Sequence, residues 1–278
     1  LPPKFCAAEA AVLAVEKELR PMIRLDGVWK SFAGVPALRG VSFSVAQGDA
    51  VLLTGPSGAG KTTLLRLVFA AERPDRGEIL VAGRSVARLR SSSIPYVRRN
   101  VGVIFQDFKL LSERSALENV AMPLAILDLP RATIRERARA ALDAVGLAGR
   151  GDTRAAMLSG GEQQRVAVAR AIVGEPAILL GDEPTGNLDP ARALDLLILL
   201  DSIHRRGTTL LVATHDPSVV DFGVAHGWRC VRLVDGELLD VDLPPARPAR
   251  HDEETAEFGA HDTPGATAVV RLHRAEPA

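Results

Sequence analysis

The residues best suited to chemistry lie in one stretch, Gly55-Pro56-Ser57-Gly58-Ala59-Gly60-Lys61-Thr62-Thr63. It reads Gly-x-x-x-x-Gly-Lys-Thr, between an apolar run (Val51, Leu52, Leu53) and a helix-like pattern (Leu64, Leu65, Leu67, Val68). A triphosphate needs many N–H donors at close range, and side chains would block that approach. Gly55, Gly58 and Gly60 remove the Cβ and permit positive φ. A helix opening near Lys61 aims its unpaired N–H groups and positive dipole end at the anion. Lys61 adds a mobile charge for the β- and γ-phosphates, and the Thr62 hydroxyl is a ligand for Mg²⁺. The whole segment, residues 55–63, is therefore expected to cradle a nucleotide.

Other residues can complete that chemistry. Asp182 and Glu183 end the apolar run Ile178-Leu179-Leu180. Asp182 can hold Mg²⁺, and Glu183 is then placed to polarise an attacking water. Gln106 follows the apolar run Val101-Gly102-Val103-Ile104-Phe105, where its amide can reach the metal or a metal-bound water. His215 ends a further apolar run, residues 208–214, and could contact a γ-phosphate. Ser159-Gly160-Gly161-Glu162 opens a helix with a capping box. Two glycines weaken a first helical turn, so something is expected to approach this backbone closely. Bare N–H groups and a Ser hydroxyl make a second anion site, one more than a single nucleotide needs. The Phe32 ring could stack on a nucleobase, with ordinary core packing as the alternative. Asp189, in the turn Gly186-Asn187-Leu188-Asp189, suits an interface.

The elements that must position these groups follow from pattern. Residues 23–48 read as short strands with turns at Gly34, Gly40 and Gln47-Gly48, and Asp75-Arg76-Gly77 as a turn before a strand over 78–83. The runs at 101–105, 177–183 and 208–214 read as buried strands, and that at 177–183 suits a parallel central strand, with ligands expected beyond the carboxyl ends of such strands. Residues 107–157 change to polar turns and helical patterns. One helix is predicted over 131–145, closed by Gly146. Asp235-Gly236 marks a hairpin.

Size and composition set bounds. The 278 residues suffice for one large domain or two small ones, and at 47% hydrophobic they can bury a sizeable core. Lys plus Arg equals Asp plus Glu at 34 each, so nothing marks a nucleic-acid binder, whose phosphate contacts need a basic surface. Two cysteines, Cys6 and Cys230, carry no paired spacing, which reads as a reducing compartment. No apolar run approaches the length of a membrane span. Within residues 1–21, Ala7 to Arg20 favours helix but carries Glu9, Glu16 and Glu18, unlike a secretory signal. Met22 is read as the native start, with 1–21 an N-terminal extension from upstream sequence. The Pro-rich, polar stretch 244–278 is read as a disordered tail.

Taken in order, Phe32, residues 55–62, Gln106, residues 158–165, Asp182-Glu183, residues 187–189 and His215 resemble the ATP-binding cassette superfamily of transport ATPases over about residues 22–243. In that superfamily's vocabulary they are its A-loop, Walker A, Q-loop, signature, Walker B, D-loop and H-loop. Tyr is commoner than Phe at the A-loop, but Phe keeps the stacking face. Within the superfamily, Ser57-Gly58-Ala59-Gly60, Gln106-Asp107 and the start Met22-Ile23-Arg24 resemble the FtsE family of cell-division ATP-binding proteins, while Glu118-Asn119-Val120-Ala121-Met122-Pro123-Leu124 and Gly186-Asn187-Leu188-Asp189 are shared with the ATPases of lipoprotein-releasing and macrolide exporters.

The resemblance implies an α/β P-loop NTPase fold: a mixed-sheet core, an antiparallel β subdomain and an α-helical subdomain at about 107–165. It implies ATP and Mg²⁺ as cofactors, with Thr62, Gln106 and Asp182 at the metal and Lys61, Gln106, Glu183 and His215 as the catalytic set. It further implies a head-to-tail homodimer in which Ser159, Gly160, Gly161 and Glu162 act in trans on the partner's ATP, with Asp189 facing the partner. The membrane partner would be an FtsX-like integral subunit at the cytoplasmic face of the bacterial inner membrane, with septal cell-wall hydrolysis as the output. The alternative is the ATPase of a lipoprotein-releasing or macrolide-type exporter, which shares the chemistry and differs in partner. A DNA-repair or translation ATPase would need a long coiled coil or a second cassette. A non-hydrolysing scaffold is disfavoured by the intact Lys61, Asp182, Glu183 and His215.

Overall fold

The computed structural model describes residues 21–127 and 129–239. Apart from Pro21, the expected N-terminal extension falls outside the described residues, as does the expected tail from 244 onward.

Two sheets carry the fold. The first is antiparallel, of β1 (Pro21–Phe32), β2 (Val35–Ala46), β4 (Arg76–Val81) and β5 (Arg84–Ser85), in the order β2-β1-β4-β5. The second has β3 (Ala50–Thr54), β6 (Val101–Ile104), β7 (Ile178–Asp182), β8 (Thr209–Thr214), β9 (Arg229–Val234) and β10 (Glu237–Leu239). Its order is β10-β9-β3-β8-β7-β6, parallel from β9 to β6, with β10 antiparallel at the edge. The continuous apolar runs of β3, β7 and β8 are buried on both faces, as a central parallel sheet requires.

The first hairpin is tighter than expected, two long strands joined by Ala33-Gly34. Both turn residues have positive φ, which matches the twist of the flanking strands. Gly40 is not a turn. It lies within β2 at a register shift, with the Trp29 indole packed 3.4 Å from where a Cβ would stand. Arg76 and Gly77 likewise open β4 rather than turn. Gly77 is required because a Cβ there would meet the Gly27 carbonyl oxygen at 2.3 Å.

The helices are α1 (Lys61–Val68), α2 (Ile94–Arg98), α3 (Ala116–Ala121), α4 (Arg131–Ala144), α5 (Gly160–Ile172), α6 (Pro190–Arg205) and α7 (Pro217–Ala225). The parallel sheet divides two cores by its period of two. Val51, Leu53, Leu180 and Leu211 pack with α1 and the antiparallel sheet, through Leu64, Ile23 and Ile79. Leu52, Leu179, Leu210 and Val212 pack with Leu142, Val166, Leu200 and Trp228 of the helical side. In the stretch 107–157, one 3₁₀ turn (Met122–Ile126) follows α3, a second (Ala155–Met157) follows α4, and both helices pack on α5. Asn119 of α3 is fully buried. It accepts from the Leu111 amide and donates to the carbonyls of Leu111 and Ser115, holding the loop that leads away from Gln106. No helix among the described residues is long and apolar enough to cross a membrane.

Candidate active site

The parallel register brings three strand ends side by side. Thr54 pairs with Thr214, and Asp182 with Ala213. The loops beyond β3, β7 and β8 therefore open at one edge, where the 55–60 loop, Glu183 and His215 meet around a cleft of about 320 Å³. The cleft is lined by residues 57–63, Gln106, Glu183, His215 and Ala37.

The glycine loop turns through φ 144° at Gly55, 82° at Gly58 and 104° at Gly60. Two of these glycines answer to the chain's own backbone. A Cβ on Gly55 would meet the Leu233 carbonyl oxygen at 2.0 Å, and one on Gly60 the Ala37 carbonyl oxygen at 2.4 Å. Gly58 faces open space. Gly60 caps α1 with no side-chain hydrogen bond, so the first amides of the helix are left for an anion. Lys61, only 6% exposed, donates from Nζ to the carbonyls of Gly55 (2.8 Å) and Pro56 (3.2 Å), and stands 3.4 Å from Glu183 Oε1.

Thr62 donates from Oγ1 to Asp182 Oδ1 at 2.9 Å. Burial pushes the Asp182 carboxyl above its ordinary range. The Thr62 hydrogen bond opposes that shift, and the neighbouring Glu183 charge adds to it. Glu183 is nearly buried and sits at φ 48°. Its Oε1 lies 2.8 Å from His215 Nδ1, and its Oε2 accepts from the His215 amide at 3.3 Å. A carboxylate only accepts, so Nδ1 is the donor in this pair and Nε2 is left free of it. Sequence reasoning placed Lys61 and His215 against phosphate and missed that both meet Glu183.

Gln106 lies just past β6. Its carbonyl accepts from Asn187 Nδ2 at 2.7 Å, tying the turn at 186–189 to the cleft wall. Phe32 ends β1, 42% exposed, with Lys30 Nζ 5.2 Å from its ring centroid, outside the cleft lining. It is not ordinary core.

The α5 start stands apart from this cleft. Ser159 caps the helix, accepting from the Glu162 amide at 3.3 Å while Glu162 Oε2 accepts from the Ser159 amide at 2.9 Å. Those bonds, first the Ser159 amide, hold the Glu162 carboxyl below its usual range; Arg150, 3.2 Å away, adds to this. The close neighbour expected at the two glycines is Arg192, whose Cδ lies 2.9 Å from where a Gly161 Cβ would stand. Gly160 is open. Ser159, Gly161 and Arg192 line a separate hollow of about 820 Å³. Asp189 caps α6, accepting from the Arg192 amide at 3.1 Å and pairing with its guanidinium at 3.2 Å.

Two buried polar residues on α5 were given no individual role by the sequence. Gln164, 1% exposed, donates to the Pro184 carbonyl at 2.6 Å, next to Glu183, and its Oε1 has no hydrogen-bond partner. Arg170 is buried against the loop after Gln106. Both sit within a polar-looking helix whose periodicity does not reveal which side faces a neighbour.

A phosphate loop, a strand-end carboxylate pair with its histidine, and a detached capped helix define one kind of machine. The ABC transporter family model matches residues 38–186. The chain belongs to the ATP-binding cassette family. Within it, the chain is 46% identical to the cell division ATP-binding protein FtsE of Escherichia coli K12, over 78% of this chain and 97% of that one. It is 45% identical to the FtsE of Mycobacterium tuberculosis H37Rv, over 78% and 94%. The FtsE of Bacillus subtilis 168 is 38% identical, over 87% and 100%. The cassette is thus an FtsE-like ABC ATPase. Among solved structures, the ATP-binding cassette MJ0796 in a dimeric post-hydrolysis state with ADP and phosphate superposes with a TM-score of 0.74, at 33% identity, covering 80% of this chain and 98% of that one. A second dimeric structure of MJ0796, a bacterial ABC transporter cassette, gives 0.72 at 35% identity, over 78% and 96%.

Proposed function

We propose that two copies of this cassette close head to tail around two ATP molecules, and that this closure drives a membrane complex of cell division. The observation that carries the reading is the separation of Ser159 from its own cleft. A capped helix start with open amides, beside Gly160, has no anion to serve in its own chain and suits the terminal phosphate of a partner's ATP. The dimeric state of MJ0796 supports the same arrangement.

In this mechanism residues 55–63 hold the triphosphate through backbone amides, and Phe32 stacks on the base. Lys61 leaves the Gly55 and Pro56 carbonyls for the β- and γ-phosphates. Glu183 takes the proton of the attacking water, and His215 fixes the rotamer of Glu183 and reaches the γ-phosphate. Ser159, Gly160, Gly161 and Glu162 complete the other chain's site, and Asp189 faces that chain. The donor set fits Mg²⁺: a hydroxyl, an amide and one carboxylate whose charge is disfavoured by burial. Thr62, Gln106 and Asp182 would hold it. When bound, Mg²⁺ neutralises charge developing on the phosphates.

The partner is an FtsX-like integral membrane subunit, which would bring the cassette to the cytoplasmic face of the inner membrane and couple hydrolysis to septal wall hydrolases. Residues 22–243 form the cassette, with 107–165 its helical subdomain. The test is purification from native membranes with trapped ATP. A small four-span division protein as the stoichiometric companion is expected. A permease with a large extracytoplasmic substrate domain would overturn the division role and favour an exporter.

A further inference from the structure

Arg170 lies in the third turn of α5 and is 8% exposed. Its two terminal nitrogens donate to the carbonyls of Lys109 and Phe108, each at 2.6 Å. Among the described residues no carboxylate pairs with it, so these carbonyl dipoles are what meets its charge. The residues it grips are unusual. Phe108 and Lys109 stand consecutively at φ 58° and 48°, a left-handed conformation that β-carbon sterics disfavour. A planar fork with two donors is the shape that can hold two adjacent carbonyls turned the same way. Burial lowers the Arg170 pKa, so the guanidinium is held where its charge is disfavoured.

The two ends of this contact matter. Phe108 is two residues past Gln106, which lines the cleft. Arg170 is eleven residues past Ser159 on one uninterrupted helix, about 16 Å along its axis at 1.5 Å per residue. The same helix also reaches the segment that follows Glu183, where Gln164 donates to the Pro184 carbonyl.

We propose that Arg170 is a positioning residue: it clamps the Phe108-Lys109 turn so that Gln106 faces the cleft, and it couples any movement of Gln106 to the Ser159 end of α5. A change in one chain's own cleft then alters what that chain offers its partner. The inference rests on the proposed role of Gln106.

The test is a double-mutant cycle on ATP turnover with Gln106→Ala and Arg170→Met. Arg170→Met is expected to lower kcat at least tenfold with KM for ATP within twofold, because the phosphate loop is untouched. Added to Gln106→Ala it should lower kcat no further. Arg170→Lys, which keeps charge but can hold one carbonyl, should fall between. Lys109→Gly, which accepts φ 48° without a clamp, should restore part of the turnover lost in Arg170→Met. Losses that multiply in the cycle, together with no rescue by Lys109→Gly, would overturn the proposal. They would leave Arg170 as a buried group that only supports the fold. If Arg170→Met does not fold, the cycle is run with Arg170→Lys and read the same way. Full turnover by Gln106→Ala alone would instead remove Gln106 from its metal role. The Arg170 clamp would then be judged on the Lys109→Gly rescue alone.

Discussion

His215 Nδ1 lies 2.8 Å from Glu183 Oε1, and the bond is made between the ends of two neighbouring parallel strands. Glu183 leaves β7 at φ 48°, a conformation that needs support, and His215 supplies it twice, by ring and by amide. His215→Ala should therefore leave ATP binding within about threefold and lower kcat by about 10²-fold, the lower end of what a positioned base contributes. Steady-state hydrolysis beside fluorescent-nucleotide binding checks this. Equal losses in both would place His215 in binding rather than in orienting Glu183.

Asp182 has a stability signature. Its pKa is raised in the fold, chiefly by burial, so the folded state disfavours the carboxylate. The sign follows: its contribution to stability is most favourable at low pH and is lost as pH rises through the raised value. Asp182→Asn keeps an acceptor for Thr62 and removes the charge. At pH 7, without nucleotide or Mg²⁺, the variant should melt higher than the wild type, the midpoint rising about 2–4 °C for each kcal/mol gained in a chain of this size. The gain should vanish below the ordinary aspartate value of 3.8, where the wild-type carboxyl is protonated too. Mg²⁺-dependent turnover should collapse. A lower melting temperature at pH 7 would contradict the assignment.

Phe32 is exposed at a strand end where packing does not require it. Base stacking on an aromatic contributes about 1–3 kcal/mol, so Phe32→Ala should raise KM for ATP roughly tenfold with kcat nearly unchanged. Phe32→Tyr should stay within about twofold. An unchanged KM in Phe32→Ala would remove Phe32 from the nucleotide site.

The loop glycines should differ. Gly60→Ala drives a Cβ into the Ala37 carbonyl oxygen at 2.4 Å, a backbone atom, with the Leu38 side chain 2.9 Å away. Gly58→Ala meets only the φ penalty, about 1–2 kcal/mol. Thermal melts should show Gly60→Ala destabilised more severely than Gly58→Ala. Comparable losses would mean that the loop moves away from Ala37.

Much of this was legible because the signals are local. The apolar runs that end at Thr54, Asp182 and Thr214 imply buried parallel strands, and parallel strands with a shared edge imply a shared site. The capping box at Ser159 needed only four residues. What was not legible depends on neighbours distant in sequence. Gly40 and Gly77 read as turns because glycine permits turns, yet each is explained by a group packed where its side chain would be. Gln164 and Arg170 look like solvated polar residues until α5 is laid against the loops at 108–109 and 184. Arg192 at Gly161 was anticipated only as something close to that backbone.

The central claim is that each chain supplies Ser159 to the other's ATP. It is tested most directly by the mass in solution of Glu183→Gln with Mg²⁺·ATP, alone and combined with Ser159→Arg. The account predicts that Glu183→Gln binds ATP, hydrolyses it slowly and runs at about twice the 29.6 kDa chain mass. The added Ser159→Arg should return it to monomer with ATP affinity intact. Monomers of Glu183→Gln saturated with ATP, or dimers indifferent to Ser159→Arg, would contradict it.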